Sequence, residues 1–260
     1  MNPSSLVTVI TGSAQGIGRR TAELCAERGD AVALLDLQES PVPPGADALV
    51  LTGDLSDEAV VLRHTRAILE RWGRVDALVN NAGISFITPA EETTAAGFRR
   101  VLDVNLTAPF LLSRELGRAM LDQRRGSIVN VASVAGLLGI SDRAAYNASK
   151  HGLIGLTRTL AAEWGGRGVR VNAVCPGWVK TEMDVHDMGS GAYTDADIEG
   201  RVPMGRFASP DDIARAILYL TDSAASPFVN GITLSVDGGW ASDGSWENLR
   251  LGKQEEPGRP

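Results

Sequence analysis

The chain has 260 residues, of which 43% are apolar, and a formal net charge of −7 with a pI near 5.1. This length and composition allow a sizeable core and suit one large α/β domain. The acidic balance argues against a phosphate-backbone binder, which needs clustered Lys and Arg, so we expect no nucleic-acid partner.

The cysteines, the histidines and the N-terminus indicate the compartment and the chemistry to exclude. Cys25 and Cys175 lie far apart and outside any CxxC pair, so we predict two buried free thiols and no disulfide. The histidines, His64, His151 and His186, have no metal-ligand spacing, so we predict no metal site. The N-terminus lacks a basic leader region and no apolar run reaches membrane-spanning length, which predicts a soluble, cytoplasmic protein with no membrane contact.

Short β-branched runs alternate with longer segments of helical period, which is typical of a parallel sheet covered on both faces. We predict strands at residues 6–10, 31–36, 48–52, 77–80, 127–132, 170–174 and 232–236. We predict helices at 17–29, 56–72, 98–124, 144–164 and 210–222, with Ser56, Ser209 and Asp211 among the residues that suit a helix start. The predicted fold class is therefore α/β, a single-domain doubly wound sheet of about seven parallel strands.

One crossover departs from this alternation. The segment "LQESPVPPGAD" after Asp36 carries three prolines, which predicts an irregular loop without a covering helix. No repeat or linker-like composition appears before the polar tail "GKQEEPGRP". We therefore assign residues 1–250 to one domain and expect 251–260 to be a frayed tail.

A glycine-rich turn follows the first strand. In "TGSAQGIG", Gly12, Gly16 and Gly18 lead into a helix, where glycines let the main chain approach a pyrophosphate that the helix N-terminus attracts. The spacing differs from the general dinucleotide pattern, and turn glycines alone would also produce it. Asp36 ends the second strand, where its carboxylate can accept hydrogen bonds from an adenosine ribose and repel a 2′-phosphate. The glycine-rich turn and Asp36 together predict an NAD-binding site.

Tyr146 and Lys150 in "RAAYNASKHG" are four positions apart and share one face of a predicted helix. An ammonium near a phenol favours the phenolate, which makes the tyrosine usable as an acid or base at working pH. Ser133 ends another predicted strand, on the side where open α/β sheets bind ligands. Its hydroxyl is predicted to hydrogen-bond a substrate oxygen opposite the phenol.

Together these residues resemble the short-chain dehydrogenase/reductases, NAD(P)-dependent enzymes of about this length with a Rossmann fold. The resemblance covers nearly the whole chain, through "TGSAQGIG", "NNAG", Asn105 in "VNL", Ser133, "YNASK", "PGWVKT" and "VDGG". It implies that Ser133 positions the substrate, Tyr146 is the acid/base, and Lys150 lowers the tyrosine pKa and contacts the nicotinamide ribose. It also implies that Asn105 holds a water that links Lys150 to solvent.

The same resemblance assigns the cofactor contacts. It carries the glycine loop to the pyrophosphate, Asp54 to the adenine edge, Asn81 to the adenosine ribose side and Thr181 to the nicotinamide amide. Asp54 would equally suit a charge at a helix N-terminus. The full predicted set is Gly12, Gln15, Gly16, Ile17, Gly18, Asp36, Asp54, Leu55, Asn81, Ala82, Gly83, Tyr146, Lys150, Pro176, Gly177, Val179 and Thr181.

Three functions compete for these residues. The first is an NAD(H)-dependent oxidoreductase that interconverts a secondary alcohol and a ketone. The second is an NADPH-dependent 3-oxoacyl thioester reductase, which the acidic Asp36 and the neutral Gln15, Leu37 and Gln38 disfavour. The third is an inactive dinucleotide sensor or scaffold, against which the intact catalytic set argues.

The segment after Gly177 predicts a flap that closes over a small or medium polar alcohol, a polyol or hydroxyketone. Candidate pocket residues are Trp178, Met183, Leu137 and Leu138 for an apolar wall, and Ser85, Asp184 and His186 for hydrogen bonds. The family resemblance predicts a homotetramer, in which the last strand pairs across a two-fold axis and Trp240 or Trp246 packs on a neighbour.

Overall fold

The computed structural model of the protein describes residues 5–181 and 194–245. Within these ranges one parallel sheet contains β1 Val7–Thr11, β2 Ala31–Asp36, β3 Ala48–Thr52, β4 Ala77–Asn80, β5 Gly126–Val131, β6 Val169–Pro176 and β7 Thr233–Val236. The helices are α1 Gly16–Arg28, α2 Glu58–Trp72, α3 Ala95–Leu102, α4 Ala108–Gln123, α5 Ala144–Trp164, α6 Asp195–Arg201 and α7 Pro210–Thr221. The predicted strands and fold class are confirmed, with strand ends shifted by at most two residues.

The strand order β3-β2-β1-β4-β5-β6-β7 makes the sheet doubly wound. The chain builds outward from β1 to β3, returns to the middle at β4 and then builds outward in the opposite direction. The order of the strands therefore reverses between β1 and β4. Sheets of this kind bind ligands outside the carboxyl ends of their strands at such a reversal.

Helices cover both faces because each strand is apolar on both sides. Successive side chains alternate between faces, so Val9 enters the core under α2, α4 and α5 while its neighbour Ile10 enters the core under α1 and α7. Leu116 of α4 and Ile213 of α7 are fully buried in these two cores. The strands are thereby held on both sides, and their carboxyl ends form a rigid edge.

The β2–β3 crossover carries no helix, as the three prolines predict. The helix predicted at 98–124 is present as one uninterrupted helical run, α3 followed by α4, but it contains an unpredicted π-helical turn at Asp103–Thr107. A π turn carries one extra residue per turn, which hydrophobic periodicity does not reveal, and such turns are frequent at functional sites. The turn contains Asn105.

Two helix starts also differ from the prediction. Asp57, not Ser56, caps α2, and its side chain accepts a hydrogen bond from Ala59 N at 2.8 Å. Helix α6 was not predicted; Thr194 and Asp197 form a reciprocal capping box at its N-terminus. Its start lies inside the predicted flap, of which residues 182–193 are outside the described ranges.

The described ranges contain no helix that is long and apolar enough to cross a bilayer. They also contain no group of three His, Cys, Asp or Glu side chains that could hold a metal ion. Cys25 and Cys175 are free and buried, as predicted.

Candidate active site

A cleft of about 340 Å³ follows the carboxyl edge of the sheet, from Asp36 at the end of β2 to Trp240 after β7. Most of the predicted site residues line it. They are Gly12, Gln15, Gly16, Ile17, Asp36, Asp54, Leu55, Asn81, Ala82, Gly83, Ser133, Tyr146, Lys150, Pro176, Gly177, Val179 and Thr181. Gly18 and Asn105 do not line it and lie behind its wall.

The glycine loop between β1 and α1 is shaped by close main-chain contacts. A Cβ on Gly18 would lie 2.0 Å from the carbonyl oxygen of Gly12, and one on Gly12, where φ is +67°, would lie 2.7 Å from Nδ2 of Asn81. Gly18 is therefore tightly packed behind the loop, and its predicted contact with pyrophosphate stays a prediction. Gly16 and Ile17, the first residues of α1, stay open to the cleft. This cradle fits a pyrophosphate, because N–H groups at a helix N-terminus lack helical partners.

Thr11, which the sequence analysis missed, ties the glycine loop to the end of β4. Its hydroxyl oxygen accepts hydrogen bonds from Asn81 N at 3.0 Å and Ala82 N at 2.9 Å. In return, Asn81 Nδ2 donates to the carbonyls of Thr11 at 3.0 Å and Gly12 at 3.1 Å. The Asn81 amide group thus holds the loop. The position of Thr11, a hydroxyl at the end of a buried strand, was a usable signal, because buried polar groups need partners.

Asp36 connects the end of β2 to the glycine loop. Its Oδ2 accepts a hydrogen bond from Ala14 N at 3.0 Å, and its Oδ1 accepts one from Gln38 N at 3.0 Å. The side chain is half-buried and lines the cleft. A carboxylate therefore stands at the β2 end of the cleft with both oxygens oriented by the main chain.

Asp54, after β3, forms a small polar cluster with Arg100 and Ser56. An ion pair of 2.9 Å joins its Oδ2 to Arg100 Nη2, and its Oδ1 accepts from Ser56 N at 3.0 Å and Ser56 Oγ at 2.7 Å. Partial burial alone would raise the carboxyl pKa, but these hydrogen bonds outweigh it and lower the pKa below its usual range. Arg100 lines the cleft. It was not predicted as a site residue, because it is far from Asp54 in sequence and no local pattern indicates that the two form an ion pair.

The serine, the tyrosine and the lysine meet where β5 and α5 border the cleft. Lys150 Nζ lies 5.5 Å from the centroid of the Tyr146 ring. The Ser133 hydroxyl accepts a hydrogen bond from Ala135 N at 3.1 Å, which orients it at the start of a 3-10 turn. The structure therefore brings together the three groups that the spacing predicts to share one site.

Lys150 is almost fully buried, and its ammonium donates to the carbonyl oxygen of Val131 at 2.8 Å. Burial lowers its pKa to about 8, with a small opposing contribution from Cys175. A group with that pKa is still largely charged at neutral pH. A positive charge therefore stands beside the ring of Tyr146.

Asn105 is fully buried, and its side chain is engaged with the segment after β4 and with α5. Its Oδ1 accepts from Ile84 N at 2.8 Å, while Nδ2 donates to Ile84 O at 3.0 Å and to Ser149 Oγ at 3.1 Å. The side-chain amide of Asn105 thus makes the two hydrogen bonds to the Ile84 main chain that a neighbouring strand would make. It holds the Gly83 segment beside Lys150, since a Cβ on Gly83 would lie 3.3 Å from Asn105 Oδ1 and 3.5 Å from Lys150 Nζ.

The β6–β7 end of the cleft has large side chains. Trp178, Trp240 and Arg143 line it, and the two indole centroids are 5.6 Å apart. Arg143 Nη1 donates to Ser85 Oγ at 2.9 Å. Trp178 was predicted here. Trp240 packs on Trp178 of its own chain, a contact that only the tertiary fold could reveal, and the predicted packing of Trp240 or Trp246 on a neighbouring subunit stays a prediction.

Leu137 and Leu138, predicted to line an apolar wall beyond Ser133, are not among the residues that line the cleft. Leu138 is 38% exposed and Leu137 packs on the core around Leu153, while Val134 and Ile140 line the cleft instead. Because the residues after Ser133 form a 3-10 turn, side chains that follow one another in sequence point in different directions there. Met183, Asp184, His186 and Trp246 lie outside the described residues.

Comparisons with known proteins agree with this fold. A family model described as "Enoyl-(Acyl carrier protein) reductase" matches residues 12–241. An uncharacterised short-chain type dehydrogenase/reductase of Sinorhizobium fredii is 44% identical over 245 residues, which cover 91% of this chain and 44% of that longer protein. The D-threitol dehydrogenase of Mycolicibacterium smegmatis is 40% identical over 246 residues, which cover 90% of this chain and 92% of the relative.

The crystal structure of levodione reductase superposes on this chain with a TM-score of 0.87 and 34% identity, covering 91% of this chain and 98% of that one. The chain belongs to the short-chain dehydrogenase/reductase family. It is an oxidoreductase that acts on the CH–OH group of secondary alcohols.

Proposed function

We propose that the protein oxidises a small or medium polar secondary alcohol, a polyol or hydroxyketone, with NAD as hydride acceptor. The observation that supports this most is the meeting of Ser133, Tyr146 and Lys150 in the cleft that also contains the glycine loop. The proton leaves the hydroxyl oxygen and the hydride leaves the carbon that bears it, so both transfers need groups that meet in one cleft. When bound, the nicotinamide ring supplies the hydride chemistry.

Tyr146 is the proposed proton carrier. In the oxidation direction its ionised phenol accepts the hydroxyl proton of the substrate, and in reduction the phenol returns the proton. Lys150 supports the ionised form through its charge and, buried as it is, loses little of that effect to solvent screening. Ser133 orients the substrate oxygen by a hydrogen bond opposite the phenol.

Asn105 is proposed to act as a positioning residue. Its three side-chain hydrogen bonds to Ile84 and Ser149 support this role, because they fix the segment that borders Lys150. The water that the family resemblance implies beside Asn105 stays a prediction. It would extend a proton path from Lys150 to solvent.

The proposed preference for NAD rests on Asp36. Both oxygens of this carboxylate are held by main-chain N–H groups, and the side chain lines the β2 end of the cleft. There it suits the two ribose hydroxyls of NAD, whereas a 2′-phosphate would add like charge. The remaining predicted cofactor contacts, from Asp54 and Leu55 to Val179 and Thr181, are part of the same proposal.

A second candidate is the NADPH-dependent reduction of a 3-oxoacyl thioester. The name of a 3-oxoacyl-[acyl-carrier-protein] reductase relative, which is 34% identical over 242 residues, favours it. The acidic group at the β2 end argues against it. The name of the D-threitol dehydrogenase relative favours the polyol proposal.

We also propose a homotetramer, with the edge strand β7 at one subunit contact. The supporting observation is the fully exposed ring of Phe228, close in sequence to β7, and the exposed Ile232 beside it. Large apolar side chains at a free sheet edge suit a subunit interface. Light scattering at micromolar concentration measures the mass, and a monomer would reject this assembly.

The function is tested by steady-state kinetics with a panel of alcohols, ketones and a 3-oxoacyl thioester, each with both nicotinamide cofactors. We expect NAD-linked oxidation of vicinal diols and polyols, with kcat/KM highest for that group. Equal use of NAD and NADP would reject the cofactor proposal. Turnover of the thioester alone, with NADPH, would establish the second candidate.

A further inference from the structure

Four side chains form a continuous stack at the β6–β7 end of the cleft. The guanidinium of Arg143 lies 5.7 Å from the ring centroid of Trp178, and that of Arg201 lies 5.6 Å from the ring centroid of Trp240. Between them, the two indoles pack at 5.6 Å with their planes tilted by 45°. We call Trp178 and Trp240 the aromatic wall. Each indole is thus buttressed by an arginine, which adds a cation–π contact to its packing.

The turn that carries Trp240 is built rigidly. Asp237 accepts hydrogen bonds from Gly239 N and Ala241 N, both at 2.9 Å, and Gly239 has a φ of +91°. Arg201 donates to the carbonyl oxygen of Trp240 at 3.4 Å. These contacts fix the indole before any substrate arrives, so little conformational entropy is lost when a ligand packs on it.

The sheet order places the aromatic wall next to the reacting groups. Ser133 follows β5, Trp178 follows β6 and Trp240 follows β7, and these strands are neighbours in the sheet. Adjacent strands are about 4.8 Å apart, so the wall begins one strand beyond the serine. Asp36, the proposed ribose ligand, ends β2 on the other side of the strand reversal. The wall therefore borders the substrate and not the adenosine.

We infer that the aromatic wall makes this enzyme selective for ring-shaped secondary alcohols, such as cyclic diols and cyclic hydroxyketones. The inference rests on the proposed function and specifies its substrate. A carbon ring presents a flat, rigid C–H face that covers an indole, while its hydroxyls remain at the edge for Ser133 and Tyr146. An open chain with the same carbons must lose rotational freedom to cover the same surface. One aromatic contact is expected to change kcat/KM by about five- to tenfold.

The test compares cyclohexane-1,2-diol with hexane-2,3-diol, which have six carbons and two vicinal hydroxyls each. We expect the wild-type protein to favour the ring in NAD-linked kcat/KM by about tenfold or more. Trp240→Ala and Trp240→Leu should each reduce that ratio to about two or less. The leucine variant keeps apolar volume without the flat face, so it separates recognition from loss of packing.

Trp72→Leu is the matched control. This tryptophan at the end of α2 also has an arginine on its ring, Arg71 at 5.8 Å, and donates from Nε1 to Asp47 at 3.1 Å, but it does not line the cleft. We expect it to leave the ratio of ring to chain unchanged. The inference is overturned if the Trp240 variants lower kcat/KM equally for both diols, or if the ratio in the wild type is near one.

A binding measurement separates this inference from the proposed function. The dissociation constants of the two diols are measured by calorimetry in the presence of NADH, in the wild type and in Trp240→Leu. One outcome would reject the proposed reaction and keep the aromatic wall. In it, no alcohol reduces NAD, the cyclic diol has a lower dissociation constant than the open-chain diol, and Trp240→Leu removes that difference. Equal binding of ring and chain rejects the wall whatever the turnover.

Discussion

The two ends of the cleft are formed by different parts of the chain, the main chain at one end and large side chains at the other. At the β1–β2–β4 end, the main chain makes the contacts: Gly12 N donates to Leu35 O at 2.8 Å, and Ala14 N donates to Asp36 at 3.0 Å. At the β6–β7 end, large side chains form the surface, and Arg143, Trp178 and Trp240 come from three separate segments.

This difference suits the proposed division of the cleft into a cofactor end and a substrate end. A main-chain cradle tolerates few changes, because an added Cβ at Gly12 or Gly18 meets the backbone. A side-chain wall can be altered without moving a strand. We therefore expect substitutions at the β1–β2–β4 end to weaken cofactor binding and lower the free energy of unfolding together. Substitutions at the β6–β7 end should alter substrate selectivity.

The largest expected effect lies where the two ends meet, at Tyr146. Replacing Tyr146 by Phe removes the proton carrier but keeps the ring, so kcat should fall by about a hundred- to ten-thousand-fold. NADH binding, measured by fluorescence titration, and the unfolding midpoint should not change. Tyr219→Phe, on the exposed side of α7, is the control and should keep full activity. A Tyr146 variant with more than about a tenth of the wild-type rate would contradict the assignment.

Lys150 gives a prediction about pH and stability. Its pKa is about 8 in the folded protein and 10.5 when exposed. Between these values the unfolded chain binds the proton and the native protein does not, so this group makes the wild type more stable as pH rises through that window. The gain amounts to about 3 kcal/mol at most.

Urea unfolding at pH 7.5, 9 and 10.5 measures this effect. Relative to Lys150→Met, which lacks the titrating group, the wild type should become more stable across the series. Lys180→Met is the control, since the Lys180 side chain is 44% exposed and ion-paired with Asp195, and it should produce no such trend. A constant difference between wild type and Lys150→Met at all three pH values would show that burial does not shift the lysine pKa.

Gly18 tests the rigidity of the main-chain end. In Gly18→Ala the new Cβ would lie 2.0 Å from Gly12 O, so the loop must move. We expect a loss of about 1–3 kcal/mol in the free energy of unfolding, together with weaker NADH binding. Gly155→Ala is the matched helical control, because a Cβ there meets nothing within 4 Å, and it should be neutral or stabilising. Unaltered NADH affinity in Gly18→Ala would disprove the tight cradle.

An effect no larger than that at Gly18 is expected at Asp36. Replacing Asp36 by Ala removes the acceptor for the ribose hydroxyls and the repulsion of a 2′-phosphate, so the preference for NAD over NADP should narrow by about 1–3 kcal/mol. The ratio of kcat/KM for the two cofactors measures it. Glu39→Ala, an exposed carboxylate three positions later, should leave the ratio unchanged. An unchanged ratio in Asp36→Ala would assign cofactor choice to other residues.

Local patterns in the sequence predict the strands, most of the helices and the main-chain end of the cleft. Alternating apolar runs reflect how each single segment is buried, and glycines mark turns whose backbone conformation other residues rarely adopt. Tyr146 and Lys150 were also predictable, because four positions on one helix share a face. The π turn around Asn105 was not, since one extra residue in a helix leaves the surrounding apolar pattern almost intact.

The amino-acid sequence by itself predicted the doubly wound fold, the family and the meeting of Ser133, Tyr146 and Lys150 at one cleft, because short local patterns indicate them. Only the tertiary structure decided what surrounds them. Thr11 on Asn81, Arg100 on Asp54 and Trp240 on Trp178 are contacts between segments that the sheet order brings together. No local pattern encodes such a contact, since either side chain would suit many other partners until the strands are packed in place.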